Sequence, residues 1–165
     1  MILRAHGLTV DVPRGWDARI FQRAESDVMS PSSPDTDAPT VPRSGITTPV
    51  LHLANFPLPD QRGDYGSGAV GLMRSTNVFL ALVEFGPESL GTSLFAPNGL
   101  PRLRAAELSE TIMQRPIAGM GGAQRFFTVS GRPFCGYAVV GSLVRRASSV
   151  ALLNGALSRI DVAAA

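Results

Sequence analysis

Lysine is absent from the chain: all fifteen basic residues among its 165 are arginine. That excludes an internal Walker A phosphate loop, a kinase-type lysine and a lysine Schiff base, each of which needs an ammonium group. Cysteine is almost absent too. Cys135 stands alone, so no intramolecular disulfide can form and a cysteine-rich zinc site is excluded. His6 and His52 are the only histidines, and neither has metal-ligand spacing to other ligand-type residues. Charge is sparse at 17%, and a net charge of +2 is too small to argue for nucleic acid. No window approaches the ~18 apolar residues of a membrane helix. The first residues, MILRAHGLTVDVPRGW, lack an apolar core of signal-peptide length and carry Asp11 early. The expectation is a cytoplasmic protein without a membrane contact.

What is present is turn chemistry and β-type alternation. Thirteen prolines and seventeen glycines divide the chain into short elements. Arg125–Ser142, RFFTVSGRPFCGYAVVGS, reads as a β-hairpin with Gly131-Arg132 as a type II′ turn. Its second run is apolar on both faces, with Phe134, Ala138 and Val140 on one and Cys135, Tyr137 and Val139 on the other. Such a strand needs cover on both sides and belongs at the centre of a sheet. Ile2–Ala5 and Leu8–Val12 form a strand pair around His6-Gly7, and Ala18–Arg23 reads as an edge strand blunted by its charges. Val50–Phe56 and Val78–Phe85 are further strands, and Gly91–Ala96 is a short one. Leu103–Arg115 is ambiguous, since Ala105–Ser109 has helical composition while Thr111–Gln114 looks extended, and Ile117–Gly122 is a glycine-rich loop. Ser148 or Ser149 caps a last helix whose Leu152, Leu153, Ala156, Leu157 and Ile160 share one face.

Residues 25–48, rich in Pro, Ser, Thr and Asp, cannot bury enough apolar surface to offset their ordering entropy. They are read as a flexible insertion, either a passive loop or a partner-binding segment, inside one domain spanning 1–165. The expected fold is α+β: an antiparallel sheet of roughly five to seven strands, the C-terminal helix on one face, and one short additional helix near 67–76.

The chemistry-bearing candidates are weak. Gly66–Gly71 is a literal G-x-G-x-x-G, yet no strand runs into Gly66 and too few residues follow for a crossover helix. The plain alternative is a flexible approach to one short helix. Cys135 sits in an apolar strand, where a thiol is inert filler rather than a nucleophile. His6 and His52 with Asp11 or Asp17 would make a metal or acid–base site only if the fold brought them together. Trp16 and Tyr65 beside turns, with Gly66 and Gly68, are candidates for a ligand pocket or partner surface, or else simply edge the core. Arg132, Arg145 and Arg146, with Arg125, are candidates for a basic cluster that would hold phosphate or carboxylate groups.

Two stretches carry a family resemblance. Leu8-Thr9-Val10-Asp11-Val12-Pro13-Arg14-Gly15-Trp16 and the closing helix with Leu153-Asn154 to Ile160 resemble the PsbP-like α/β/α sandwich superfamily, which includes PsbP, the Ran-binding Mog proteins and LpqN-type lipoproteins. The segment Gly131-Arg132-Pro133-Phe134-Cys135-Gly136-Tyr137 is also similar to actinobacterial proteins with no assigned chemistry. The resemblance implies an accessory or binding domain and carries over no catalytic, metal or cofactor residue. The expectation is therefore a non-catalytic module acting through protein–protein contacts or self-association. The alternative is a small-molecule or anion-binding protein, conceivably an enzyme, using a pocket near Trp16, Tyr65 and Gly66–Gly68.

Overall fold

Side chains alternating in and out along the chain build two antiparallel sheets in the computed structural model, which describes residues 1–23 and 47–165. The smaller sheet joins β1 (Ile2–Ala5), β2 (Leu8–Asp11) and β8 (Ile160–Val162), in the order β1-β2-β8. The larger contains β3 (Asp17–Gln22), β4 (Pro49–Ala54), β5 (Val78–Glu84), β6 (Gly121–Val129) and β7 (Arg132–Val140), in the order β3-β4-β5-β7-β6. One α-helix, α1 (Arg146–Leu157), lies between β7 and β8. The fold class is α+β, as the alternation and the C-terminal helix pattern implied.

The β6–β7 hairpin forms with Val129 opposite Arg132. Its turn is one residue earlier than expected. Ser130 (φ 52°) and Gly131 (φ 73°) are its central pair, both left-handed, which is type I′ geometry rather than II′. Arg132 therefore opens β7 instead of sitting in the turn. β7 is buried along its whole length but is not central; β5 is, flanked by β4 and β7. β3 is an edge strand, as its charges suggested.

The larger sheet is covered on both faces. One face presents Leu51, Leu53, Leu80, Leu82, Phe134 and Ala138 to α1 and to the inner side of the smaller sheet, where Val150, Leu153, Leu157, Leu8 and Val10 meet them. The other presents Val50, His52, Ala54, Phe79, Ala81, Val83, Cys135, Tyr137 and Val139. No α-helix covers this second face among the described residues. Irregular segments do, bringing Leu58, Ala69, Met113 and Met120 down onto it.

Several expectations are corrected. The short helix near 67–76 is a single 3-10 turn, Val70–Leu72. Gly91–Ala96 is not a strand but contains the 3-10 turn Ser93–Phe95. Gly121 and Gly122 belong to β6 rather than to the loop before it. The helix is not the last element. Ile160 opens β8, and Asp11 N–H donating to the Arg159 carbonyl brings the chain back beside β2. Neither serine caps α1: Arg145 occupies the cap position, Ser148 Oγ donates to the Arg145 carbonyl, and Ser149 is buried within the helix. The insertion at 25–48 lies outside the described residues, apart from Thr47 and Thr48. There Arg23 N–H donates to the Thr48 carbonyl at 3.1 Å, continuing the β3–β4 ladder by one bond.

Candidate functional site

The irregular cover of the second sheet face opens into a cleft of about 460 Å³. One wall is Tyr65–Gly71, the other Met113–Ile117, and Tyr137 of β7 lies at the floor. Tyr65 stands edge-on to Tyr137, with ring centroids 5.7 Å apart, and the Tyr137 hydroxyl accepts the Gln114 N–H at 3.3 Å. The two walls are thus fixed to one floor residue. Ser67, Gly68, Gly71, Gln114 and Arg115 form an exposed rim, whereas Met113 and Tyr137 are buried.

The first wall is held from beneath by His52. Its ring is fully buried between Phe21 and Phe79, edge-on to both. Nδ1 accepts from Arg62 Nε at 2.9 Å; because a guanidinium only donates, the imidazole proton resides on Nε2, which meets the Asp64 carbonyl at 2.7 Å. Arg62 also donates to the Pro59 carbonyl at 2.7 Å and lies over the Phe21 ring. Burial lowers the His52 pKa to about 4, so the ring is neutral at pH 7, with both nitrogens engaged. Next along the wall, the Asp64 carboxylate lies 3.1 Å from Arg23 Nε but off the hydrogen-bond axis, a charge contact only.

The other titratable groups on this face are equally quiet. Burial raises the Cys135 thiol, which accepts from Gln124 Nε2 at 3.3 Å. Burial first, and then the neighbouring Cys135, push Tyr65 up to about 12. Burial raises Tyr137 too. At neutral pH the face holds a neutral imidazole, a thiol and two phenols, none poised to transfer a proton.

The sequence candidates separate. Tyr65 and Gly68 line the cleft. Gly66 lies just behind them, where a Cβ would overlap the Phe79 ring. Trp16 does not join them; it packs against the core on the opposite face of the sheet. The basic cluster is not assembled. Arg125 is paired with Glu107 on β6, and Arg132 is buried against Glu84. Arg145 and Arg146 are exposed where the chain enters α1, at the far end of β7 from Arg132. Asp11 pairs with Arg159 and Asp17 with Arg19, so neither meets a histidine. Among the described residues no three His, Cys, Asp or Glu side chains gather as a metal site.

The G-x-G-x-x-G is not a dinucleotide loop in form. Gly66 and Gly68 have left-handed φ of 80° and 91°, but Gly71 does not, and only the three-residue turn Val70–Leu72 follows. Met113, Gln114, Arg115 and Ile117 were missed by sequence reasoning. Their signal was mixed, a proline-flanked stretch of helical and then extended character that still carried large apolar residues; Glu110–Ile112 within it is a 3-10 turn rather than extended chain. No helix is long and apolar enough to cross a membrane among the described residues. No family model, curated protein or solved structure matches the chain.

Proposed function

We propose that the protein is a non-catalytic binding module that docks a protein partner on the face carrying the Tyr65–Gly71 and Met113–Ile117 cleft. One observation carries the reading. The titratable groups under the cleft are neutral and engaged with neighbouring protein groups, while the cleft itself offers apolar floor, aromatic rings and a polar rim. That equipment suits recognition rather than bond making. The likeness of the Gly15-Trp16 turn and the Asn154 helix to PsbP-like domains points to the same accessory role, and we include that membership in the proposal.

A second reading is a small-molecule or anion site in the same cleft. Its support is the volume of about 460 Å³, within the usual span of ligand pockets. The deciding experiment is affinity capture of the tagged protein from its source cells, in parallel with Gly71→Trp. Gly71 lines the cleft, has ordinary φ, and a Cβ there meets nothing within 4 Å, so a bulky indole can be placed at the rim without strain. A stoichiometric partner retained by the native protein and lost by the folded variant supports docking here. Saturable turnover of a small substrate would sink the non-catalytic reading, and a partner indifferent to Gly71→Trp would move the docking face elsewhere.

A further inference from the structure

We infer that the cleft is anchored by an acidic segment of the partner, a carboxylate beside an apolar or aromatic side chain; this deepens the docking reading and rests on it. The polar chemistry of the cleft is one-sided. None of its ten lining residues is acidic, and Arg115 at the rim has no carboxylate within ion-pair distance among the described residues. The acids that precede the two walls in sequence, Asp64 and Glu110, are engaged in other contacts. Asp64 faces Arg23, and Glu110 Oε1 accepts the Gly119 N–H at 3.0 Å. On the opposite wall the exposed Ser67 and Gly68 N–H groups have no acceptor among the described residues. An unpaired guanidinium on one wall, N–H donors on the other and no acid in the lining make the cleft complementary in charge to a carboxylate.

The apolar requirement comes from the floor and its continuation. Tyr65, Tyr137, Met113 and Ile117 offer ring faces and aliphatic surface to a side chain. Beyond the cleft, each wall extends into an exposed apolar residue, Leu72 at 62% exposure and Ile112 at 37%. Arg74, with no ion pair among the described residues, follows Leu72 by two positions. Exposed apolar and cationic residues thus adjoin both walls in sequence, which favours an extended peptide over a free aromatic acid.

The test is two-dimensional amide NMR of the full chain titrated with N-acetyl-Asp-Phe-Asp-amide, N-acetyl-Lys-Phe-Lys-amide and phenylacetate. The expected result is saturable shifts at 65–71 and 113–117 with the acidic peptide at ~5 mM, and at least ~tenfold weaker response to the lysine peptide. Arg115→Gln, at an exposed position, should weaken the acidic peptide ~tenfold with the rest of the spectrum unchanged. Equal response to both peptides, shifts elsewhere, or no shifts at all would overturn the inference. Phenylacetate binding as well as the acidic peptide would also overturn it and return the cleft to the small-molecule reading. A cellular partner lost by Gly71→Trp but indifferent to Arg115→Gln would leave the docking reading intact while removing this one.

Discussion

Arg132 grips Glu84 with two parallel hydrogen bonds, Nε to Oε1 at 2.9 Å and a terminal nitrogen to Oε2 at 2.6 Å. The pair bridges the start of β7 and the end of β5 and is almost wholly buried. Arg132 also donates to the carbonyls of His6, at 3.0 Å, and Ala163, at 3.2 Å. Those two carbonyls belong to the smaller sheet's turn and to the residue after β8, so one guanidinium ties the two sheets together. Arg132→Met leaves Glu84 buried and uncompensated and should cost about 3–5 kcal/mol in urea unfolding. Adding Glu84→Met removes the orphaned charge and should restore part of that loss. Restoration stays incomplete, because the His6 and Ala163 carbonyls lose their donor in either variant. Full additivity of the two substitutions would disprove the coupling.

His52 makes stability depend on pH in a direction the contacts dictate. The imidazole has its ordinary value of 6.5 when unfolded and about 4 in the fold. Between those values the unfolded chain binds the extra proton, so stability is full above pH 6.5 and falls as pH drops toward 4, where it levels. The span corresponds to about 3 kcal/mol. Protonation would set a second donor against Arg62 Nε, beside the Arg62 charge that already disfavours the imidazolium. Urea midpoints from pH 7.5 to 4.5 should decline for the native protein. His52→Gln, less stable at pH 7.5, should lose most of that slope. A parallel slope in the variant would assign it to the carboxylates instead.

The strands were legible because period-2 alternation survives in any sheet with two covered faces: the division of Phe134 and Ala138 from Cys135 and Tyr137 is observed as expected. β8 was not legible, because Ile160 continues the helical spacing of Leu153 and Leu157 and only three residues follow the turn. The cleft was half legible. Tyr65 and Gly68 stood out beside turn residues, but the opposite wall, Met113–Ile117, carries no period and takes its position from tertiary contacts such as Gln114 N–H to Tyr137. Trp16 took its core-edge reading, packed against the apolar core, whereas Arg132 misled: residue type suggested recognition, and the Glu84 carboxylate beside it in space made it structural.

Asn154 is a polar residue on a helix that pairs with the backbone of an irregular segment. Its Oδ1 accepts the Leu103 N–H at 2.9 Å and its Nδ2 donates to the Leu103 carbonyl at 3.0 Å. Both bonds pin the irregular chain before Ala105 to α1. Asn154→Ala leaves two partly buried backbone groups without partners and should destabilise by about 1–3 kcal/mol. Asn154→Asp keeps the acceptor but loses the donor, placing a carboxylate against the carbonyl, and should be no better than alanine at pH 7. Amide exchange at Leu103 reads the lost acceptor locally, with faster exchange expected in Asn154→Ala, while Asn154→Asp, which keeps that acceptor, shows its cost in urea unfolding.

The three glycines of Gly66–Gly71 separate a structural role from a phosphate-binding one. A Cβ at Gly66 would overlap the Phe79 ring, and the left-handed φ of 80° adds strain, so Gly66→Ala should cost about 1–3 kcal/mol. Gly68, with φ of 91° and a would-be Cβ 2.7 Å from the Gln61 carbonyl oxygen, should behave alike. Gly71 has neither constraint, and Gly71→Ala should stay within about 0.5 kcal/mol of the native protein. A dinucleotide loop would use its third glycine for close helix–strand packing and would lose stability and nucleotide binding together when that glycine is filled. Thermal unfolding of the three variants, with and without NAD, separates the cases. Graded losses at Gly66 and Gly68 alone, with no shift on adding NAD, mark the glycines as the bend that carries Tyr65 over the sheet. A stabilising shift with NAD that Gly71→Ala abolishes would restore the nucleotide reading.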